Sequence, residues 1–307
     1  MRAVVVGMGI QGVKRRNILK KDLIFSVDKF KRSNFKSIQK VPLNLYDTVF
    51  VCVPDSEKFK TIEYCLKNNK NVLVEKPLIL KNQKKLIHLQ SLAKKKNLVL
   101  YTAYNHRFEP NIIRLKQVIK KKLLGKIYSC KFFYGNGTAM LVKKSKWRDK
   151  QLGVISDLGS HLIDLCIFLF GKKKLGKIKI FEANNFENKA ADQAIISYQI
   201  ENIKITLEMT LCMWKNTFNC DVVGSKGSAH LNSLCKWGKN NFIFRKRKLP
   251  SGKPYEKIEY FKKGDPTWIK ELNFFKNLIK NKKNLDFNRD LIINREFLKL
   301  KKRKYEK

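Results

Sequence analysis

A short apolar run at residues 4–6 leads directly into three glycines, at positions 7, 9 and 12 of the 307-residue chain. This spacing is typical of a strand that turns sharply into a helix. Gly7 permits the turn, Gly9 lets a phosphate group approach the backbone, and Gly12 lets the helix pack closely on the strand. The helix N-terminus adds free N–H donors for a phosphate group. The pattern predicts a dinucleotide-binding unit whose cofactor contacts are Gly7, Gly9, Ile10, Gln11 and Gly12.

A carboxylate stands where the same fold needs one. Asp28 ends the second predicted strand, residues 23–27, about 20 residues after Gly7, which is the distance expected for a group that binds the ribose hydroxyls. This favours NAD. Lys29, Lys31 and Arg32 follow at once and could receive a 2′-phosphate, so NADP stays open, as does a plain loop-capping role for Asp28.

The first third of the chain alternates short aliphatic runs with helical patterns. Strands are predicted at residues 4–6, 23–27, 49–53, 72–74 and 98–101, and helices at residues 55–69 and 81–97. Strands that alternate with helices indicate βαβ units. We therefore expect an α/β fold, an N-terminal Rossmann domain with a doubly wound parallel sheet, over residues 1–122.

The pattern changes after residue 124. One long helix is predicted at residues 156–170, followed by extended runs at 178–186, 190–200, 203–213 and 218–223, and a turn at 224–227 leading to 229–231. Consecutive strands with short turns indicate an antiparallel sheet. We expect residues 123–307 to form an α+β domain with a mostly antiparallel open sheet. Its final helices, at 265–282 and 289–302, could pack back on the first domain.

The charge is strongly basic, at +42, and raises the question of nucleic acid. Most of the excess is lysine, spread through nearly every predicted element, with the densest runs at residues 120–122, 172–174 and 301–304. No stacking motif of aromatic residues and arginines accompanies it. We expect solvated surface and no specific nucleic-acid partner, although a positive field would attract anionic small molecules such as nucleotides and nucleotide-linked sugars.

Cysteine usage and hydropathy suggest the compartment. The seven cysteines are odd in number and never form a C-x-x-C pair, so we expect reduced thiols and no metal site. The most apolar run, residues 162–170, contains Asp164 and falls far short of the ~20 residues that cross a bilayer. These features predict a soluble, cytoplasmic protein without a membrane partner.

Further motifs follow the glycine pattern in a fixed order: VCVP at residues 51–54, NVLVEKP at 71–77, YNHRFEP at 104–110, WRDKQLGVISDLGSHLIDL at 147–165 and VVGSKGSAHL at 222–231. With them the chain resembles the glucose-fructose oxidoreductase, inositol dehydrogenase and rhizopine-catabolism (Gfo/Idh/MocA) family. The resemblance spans most of the chain. It implies a Rossmann domain joined to a larger sheet domain, with nicotinamide meeting substrate in a cleft.

The resemblance also implies catalytic roles, and the residues themselves suit the chemistry. Lys76 follows the fourth predicted strand, at the sheet edge where open α/β sheets bind ligands. Asp157, His161 and Asp164 are spaced to share one helix face. Family analogy makes Lys76 a hydrogen-bond donor to the reacting hydroxyl and His161 the acid/base beside Asp157. A buried core histidine is the alternative for His161.

Other positions complete the predicted site. Pro54 and Glu75 join Lys76 as cofactor contacts. The predicted substrate contacts are Asn105, Arg107, Trp147, Arg148 and Asp164, although Arg107 could instead pair with a carboxylate and Asp164 could orient or cap. Two departures from the family pattern stand out, because only Gly153 remains of a glycine triplet and Lys58 stands where many members carry histidine.

These observations predict an NAD(P)-dependent oxidoreductase. It would move a hydride between nicotinamide and a secondary alcohol or ketone carbon of a sugar, nucleotide sugar or cyclitol. The family resemblance adds an expected homo-oligomer, a dimer or a tetramer. The alternatives are a reductase of an imine or tetrapyrrole on the same fold, and a non-catalytic dinucleotide-binding regulator.

Overall fold

The computed structural model describes residues 1–145, 147–171, 175–282 and 288–305. The chain forms two compact units. The first comprises Met1–Tyr104 and Trp268–Leu298, and the second Asn105–Thr267 and Lys299–Lys307. The division after Tyr104 differs from the predicted boundary at residue 122. Residues beyond Tyr104 belong to the second unit because Asn111 donates a hydrogen bond to the Ser233 carbonyl and Arg114 pairs with Glu259.

The first unit contains a five-stranded parallel sheet, as predicted. Its strands are β1 (Ala3–Val6), β2 (Leu23–Val27), β3 (Thr48–Val51), β4 (Asn71–Glu75) and β5 (Leu100–Ala103), in the order β2-β1-β3-β4-β5. Every neighbouring pair is parallel. This order reverses direction at β1, which gives the doubly wound arrangement.

Eight α-helices occur among the described residues. They are α1 (Ile10–Leu19), α2 (Asp55–Lys67), α3 (Gln83–Lys95), α4 (Pro110–Lys120), α5 (Ala139–Lys143), α6 (Val154–Phe170), α7 (Thr267–Lys280) and α8 (Asn288–Tyr305). The sequence predicts α1 as the helix that follows the glycine loop, and it predicts α2, α3, α6, α7 and α8 with small differences at their ends. It had given no prediction for α4, although Pro110 stands at its first turn, where proline favours helix initiation.

Both faces of the parallel sheet are buried. Alternate strand residues point to opposite faces, so Val4 and Val6 join one core cluster while Ala3 and Val5 join another. The first cluster includes apolar residues of α2 and α3, and the second includes Leu272, Phe275 and Leu278 of α7. The C-terminal segment therefore completes the first unit's hydrophobic core.

The second unit contains an eight-stranded sheet. Its strands are β6 (Ile127–Gly135), β7 (Lys179–Asn184), β8 (Gln193–Ile200), β9 (Ile203–Thr210), β10 (Thr217–Gly224), β11 (Gly227–Asn232), β12 (Asn241–Lys246) and β13 (Tyr255–Tyr260). The order is β13-β12-β11-β10-β6-β9-β8-β7. All pairs are antiparallel except β6 with β9. The mostly antiparallel sheet is confirmed.

Helix α6 covers one face of this sheet. Its residues are almost all buried, and a Cβ added at Gly159 would come within 3.0 Å of the Met209 sulfur on β9. All seven cysteines are free thiols. Within the described ranges, no helix has the length and apolar character needed to cross a bilayer. One of the three lysine runs expected to be solvated surface, residues 172–174, lies outside the described residues.

Candidate active site

The glycine loop after β1 is close-packed at two of its three glycines. Gly7 has a φ of +93° and donates a backbone hydrogen bond of 2.8 Å to the Val27 carbonyl. A Cβ at Gly7 would lie 2.5 Å from the Cys52 carbonyl oxygen, and one at Gly12 only 1.8 Å from the Gly7 carbonyl oxygen. Only glycine fits at these positions, because any side chain would overlap the backbone.

The middle glycine has space in front of it. A Cβ at Gly9 would meet nothing within 4 Å, and no side chain caps the start of α1. Ile10 and Gln11 are the first two residues of that helix, so their backbone N–H groups have no acceptor within it. Open space beside free N–H donors suits a pyrophosphate.

Asp28 lies directly after β2 with both carboxylate oxygens in hydrogen bonds. Oδ2 accepts from the Met8 N–H at 2.7 Å, and Oδ1 accepts from the N–H groups of Phe30 and Lys31 at 2.9 and 2.8 Å. Burial alone would raise the pKa of Asp28, but these hydrogen bonds outweigh it and lower the pKa. The carboxylate is therefore ionised, and its remaining lone pairs suit ribose hydroxyls.

Glu75 is the last residue of β4 and Lys76 follows it directly, beyond the strand as predicted, while Pro54 precedes the first residue of α2. The Glu75 carboxylate is buried and accepts a 2.6 Å hydrogen bond from the Arg15 guanidinium. The charge of Glu75 is thereby matched inside the protein, and its role as a cofactor contact stays a prediction. Lys76 is half-buried and joined to Pro77 by a cis peptide bond.

Arg15 was not predicted as a site residue. Its side chain, 1% exposed, also donates to the Glu271 carboxylate at 2.8 Å and lies 4.3 Å from the centre of the Trp268 ring. Burial raises the pKa of Glu271, and the guanidinium opposes that shift. The partners are far apart in sequence, so no local pattern could have shown this cluster.

In the second unit, α6 carries the three predicted polar residues. Arg148 donates to an Asp157 oxygen at 2.6 Å. Arg107 binds both oxygens of Asp164, each at 2.6 Å, and Asp164 is 1% exposed. This bidentate pair supports the orienting role for Asp164, since a buried carboxylate with both oxygens engaged by an arginine has little capacity for substrate.

His161 lies in a ring cluster that the sequence did not predict. Its imidazole stacks on that of His106, with ring centroids 4.2 Å apart, and both lie near the Tyr134 ring. The Lys236 ammonium lies 3.4 Å from His106 Nε2. Burial raises the pKa of Tyr134, and the nearby Asp157 carboxylate adds to the effect. His106 was visible in the YNHRFEP motif, but nothing local indicated the stack.

The remaining predicted contacts differ in exposure. Asn105 is buried and donates to the Thr267 hydroxyl at 2.7 Å, whereas the Trp147 side chain is 52% exposed. Lys76 belongs to the first unit, and His161 to the second. Across the described residues, no group of three or more His, Cys, Asp or Glu side chains could hold a metal ion.

Comparison with known proteins places both units in one family. Residues 19–104 match the model of the oxidoreductase family with an NAD-binding Rossmann fold, and residues 112–230 match the GFO/IDH/MocA C-terminal domain. The chain belongs to the Gfo/Idh/MocA family. The resemblance read from the motifs is thereby confirmed.

Individual members of the Gfo/Idh/MocA family show more distant likeness. An uncharacterized oxidoreductase of Schizosaccharomyces pombe is 27% identical over 59% of this chain and 51% of its own length. Glucose-6-phosphate 3-dehydrogenase of Bacillus subtilis is 33% identical over 34% of this chain and 31% of its own. The chain thus spans about half or less of the curated relatives it matches. The solved structure of levoglucosan dehydrogenase with NADH superposes with a TM-score of 0.80 at 15% identity, covering 98% of this chain and 96% of that one.

Proposed function

We propose that this chain is an NAD(P)-dependent oxidoreductase that acts on a secondary alcohol or ketone carbon of a sugar, nucleotide sugar or cyclitol. The glycine loop carries the proposal. Gly7 and Gly12 leave no room for side chains, while Gly9 faces open space at the start of α1, which no side chain caps. Such a loop suits a pyrophosphate. The ionised Asp28 supports a preference for NAD over NADP, because it would repel a 2′-phosphate.

The chemistry needs one hydride carrier and one proton carrier. When bound, nicotinamide supplies the hydride acceptor or donor. We assign Lys76 to donating a hydrogen bond to the substrate oxygen and His161 to holding or releasing the hydroxyl proton. Asp157 assists His161, and the His106 ring stacked on it restricts its orientation.

We propose a sugar or a sugar derivative as the substrate. Two of the similar proteins are named for sugar substrates, glucose 6-phosphate and levoglucosan. Trp147 is the predicted substrate contact with the largest exposed surface, so we propose that it touches the sugar. Arg107 and Asp164 position α6 instead. The net charge of +42 would favour an anionic sugar derivative.

We propose a cytoplasmic homo-oligomer. The edge strand β13 exposes Ile258 and Tyr260, which are two residues apart and therefore on the same face, and this supports an assembling surface. Sedimentation of the purified chain would test it, and a monomer at all concentrations would contradict it.

A substrate screen, followed by kinetics of two variants, tests the activity. Purified protein is offered NAD or NADP with sugars, sugar phosphates, UDP-sugars and cyclitols, and reduced nicotinamide is followed by absorbance. Lys76→Met and His161→Ala should each lower kcat by about 10²-fold or more while cofactor affinity changes little. Full turnover by both variants would contradict the assigned roles.

Matched controls come from the same chain. Lys67 is exposed on α2, and His88 is a half-exposed histidine that contacts Glu63. Lys67→Met and His88→Ala should keep wild-type turnover. Activity that survives His161→Ala alone would favour reduction of an imine or tetrapyrrole. Cofactor binding without turnover on any substrate would favour a regulatory protein.

A further inference from the structure

Lys58 is a buried cation that the proposed function does not use. It lies one turn into α2, and its side chain is 3% exposed. Its ammonium donates a 2.7 Å hydrogen bond to the Pro77 carbonyl and lies 2.6 Å from an oxygen of Asp55. Burying an ammonium costs several kcal/mol in lost hydration unless partners replace the water.

The acceptor of Lys58 lies directly beside Lys76, the residue assigned to binding the substrate oxygen. Pro77 follows Lys76, and Glu75 precedes it. The Glu75 side chain is held at 2.6 Å by Arg15, and the Pro77 carbonyl at 2.7 Å by Lys58. Both neighbours of Lys76 are thus fixed by buried cations, one from α1 and one from α2.

We propose that Lys58 is a positioning residue for Lys76. By holding the Pro77 carbonyl, its ammonium fixes the backbone from which the Lys76 side chain projects. Asp55 completes the arrangement, because its carboxylate balances the charge of Lys58 from the more exposed side. The inference rests on the proposed role of Lys76 in the reaction, and it adds a residue whose contribution acts through the backbone.

The chain supplies a matched control. Lys70 is also buried in the first unit and donates to two backbone carbonyls, those of Leu43 and Tyr46, at 2.6 and 2.8 Å. Neither acceptor adjoins a predicted site residue. Removing either ammonium should lower the stability of the protein for the same reason. Only a change in kcat or in Lys76 reactivity that occurs at Lys58 and not at Lys70 therefore indicates positioning.

Kinetics of Lys58→Met, Lys58→Arg and Lys70→Met provide the first test. Displacing a reacting group by about 1 Å can cost on the order of 10²-fold in rate, so Lys58→Met should lose that much kcat, with cofactor affinity nearly unchanged. Lys58→Arg keeps a cationic donor and should retain activity within about tenfold. Lys70→Met should lower the melting temperature but keep kcat per folded molecule.

A second measurement does not depend on turnover. Competitive acetylation of the folded protein, read by mass spectrometry, gives the reactivity of Lys76 relative to exposed Lys67. Lys58→Met should change that ratio by about threefold or more, and Lys70→Met should not. If wild type has no activity or Lys76→Met keeps it, the proposed function fails, and this ratio alone decides the positioning role.

Two outcomes would overturn the inference. One is Lys58→Met and Lys70→Met behaving alike in kcat and in Lys76 reactivity. The other applies when Lys58→Met does not fold and is tested with a second variant. Asp55→Asn then replaces it, because that variant leaves the Lys58 ammonium without its counter-charge. Asp55→Asn should shift both readouts in the same direction by a smaller amount, and wild-type values for both would contradict the role.

Discussion

The predicted site residues fall into two halves, one in each unit, and the two halves are built by different means. In the first unit, the cofactor loop is shaped by missing side chains, and the turn at Lys76 is held by buried cations on backbone and carboxylate oxygens. In the second unit, α6 presents side chains that are held by other side chains, through two arginine–carboxylate pairs and a stack of imidazoles. The glycine loop should therefore fail when atoms are added, and the contacts of α6 when charges are removed.

Gly12 should show the largest effect in the first half. In Gly12→Ala the new Cβ would overlap the Gly7 carbonyl oxygen, so we expect a loss of about 3 kcal/mol or more in the free energy of unfolding. Gly9→Ala is the matched variant, with open space at the same loop. It should stay within about 0.5 kcal/mol of wild type.

Nucleotide titration then separates the two glycines. Gly9→Ala should weaken NAD binding by about tenfold or more despite its unchanged stability, because the methyl group occupies the space proposed for the pyrophosphate. Urea unfolding and a fluorescence titration measure both quantities. A stable Gly9→Ala protein that binds NAD like wild type would remove the main support for the cofactor site.

Asp164 tests the second half. Asp164→Asn removes the charge opposite Arg107 but keeps the shape, and breaking a buried pair costs about 3 kcal/mol. Glu256 is the control, because its pair with Arg245 is more than one-third exposed on both sides. Glu256→Gln should cost less than about 1 kcal/mol. Equal urea midpoints for the two variants would mean that the Arg107–Asp164 pair contributes no more than a surface pair.

The pH dependence of stability should differ in sign between Asp28 in the first unit and Glu109 in the second, and both effects should be smaller than those at Gly12 and Asp164. The pKa of Asp28 is lowered in the fold, so its contribution is present above its ordinary pKa and is lost as pH falls through the folded value. The pKa of Glu109 is raised, because it is buried and its hydrogen bond from the Cys235 N–H only partly compensates. Its folded form binds the proton more tightly, so stability falls as pH rises above the ordinary glutamate pKa.

Urea titrations across the acid range measure this contrast. Asp28→Asn should lose less stability than wild type as pH falls below about 4, and Glu109→Gln should lose less as pH rises from about 4.5 towards neutrality. The same pH profile in both variants and wild type would show that neither carboxylate is linked to folding.

Prediction from sequence was most successful where local rules determine structure. The strands and helices of the first unit follow from aliphatic runs, glycine spacing and helix-start residues that are contiguous in the chain. The partners of Arg15 could not be predicted in this way. Glu75 and Glu271 reach it through the fold, 60 and 256 residues away.

The second unit shows the complementary case. No prediction was made for β6, although Cys130, Phe132 and Tyr134 alternate inward along it. Its place at the centre of the sheet depends on pairing with β9 and β10, more than 70 residues later. The same holds for the His106–His161 stack. Each histidine is recognisable in its motif, but the contact between them exists only after folding.

The discontinuity of the first unit has a consequence for biosynthesis. Its second core cluster joins Ala3 and Val5 to Leu272, Phe275 and Leu278 of α7. A ribosome therefore finishes nearly all of the second unit before it has made the residues that close the first. Until then, one apolar face of the parallel sheet stays partly uncovered. A chaperone would protect the nascent chain most during this interval.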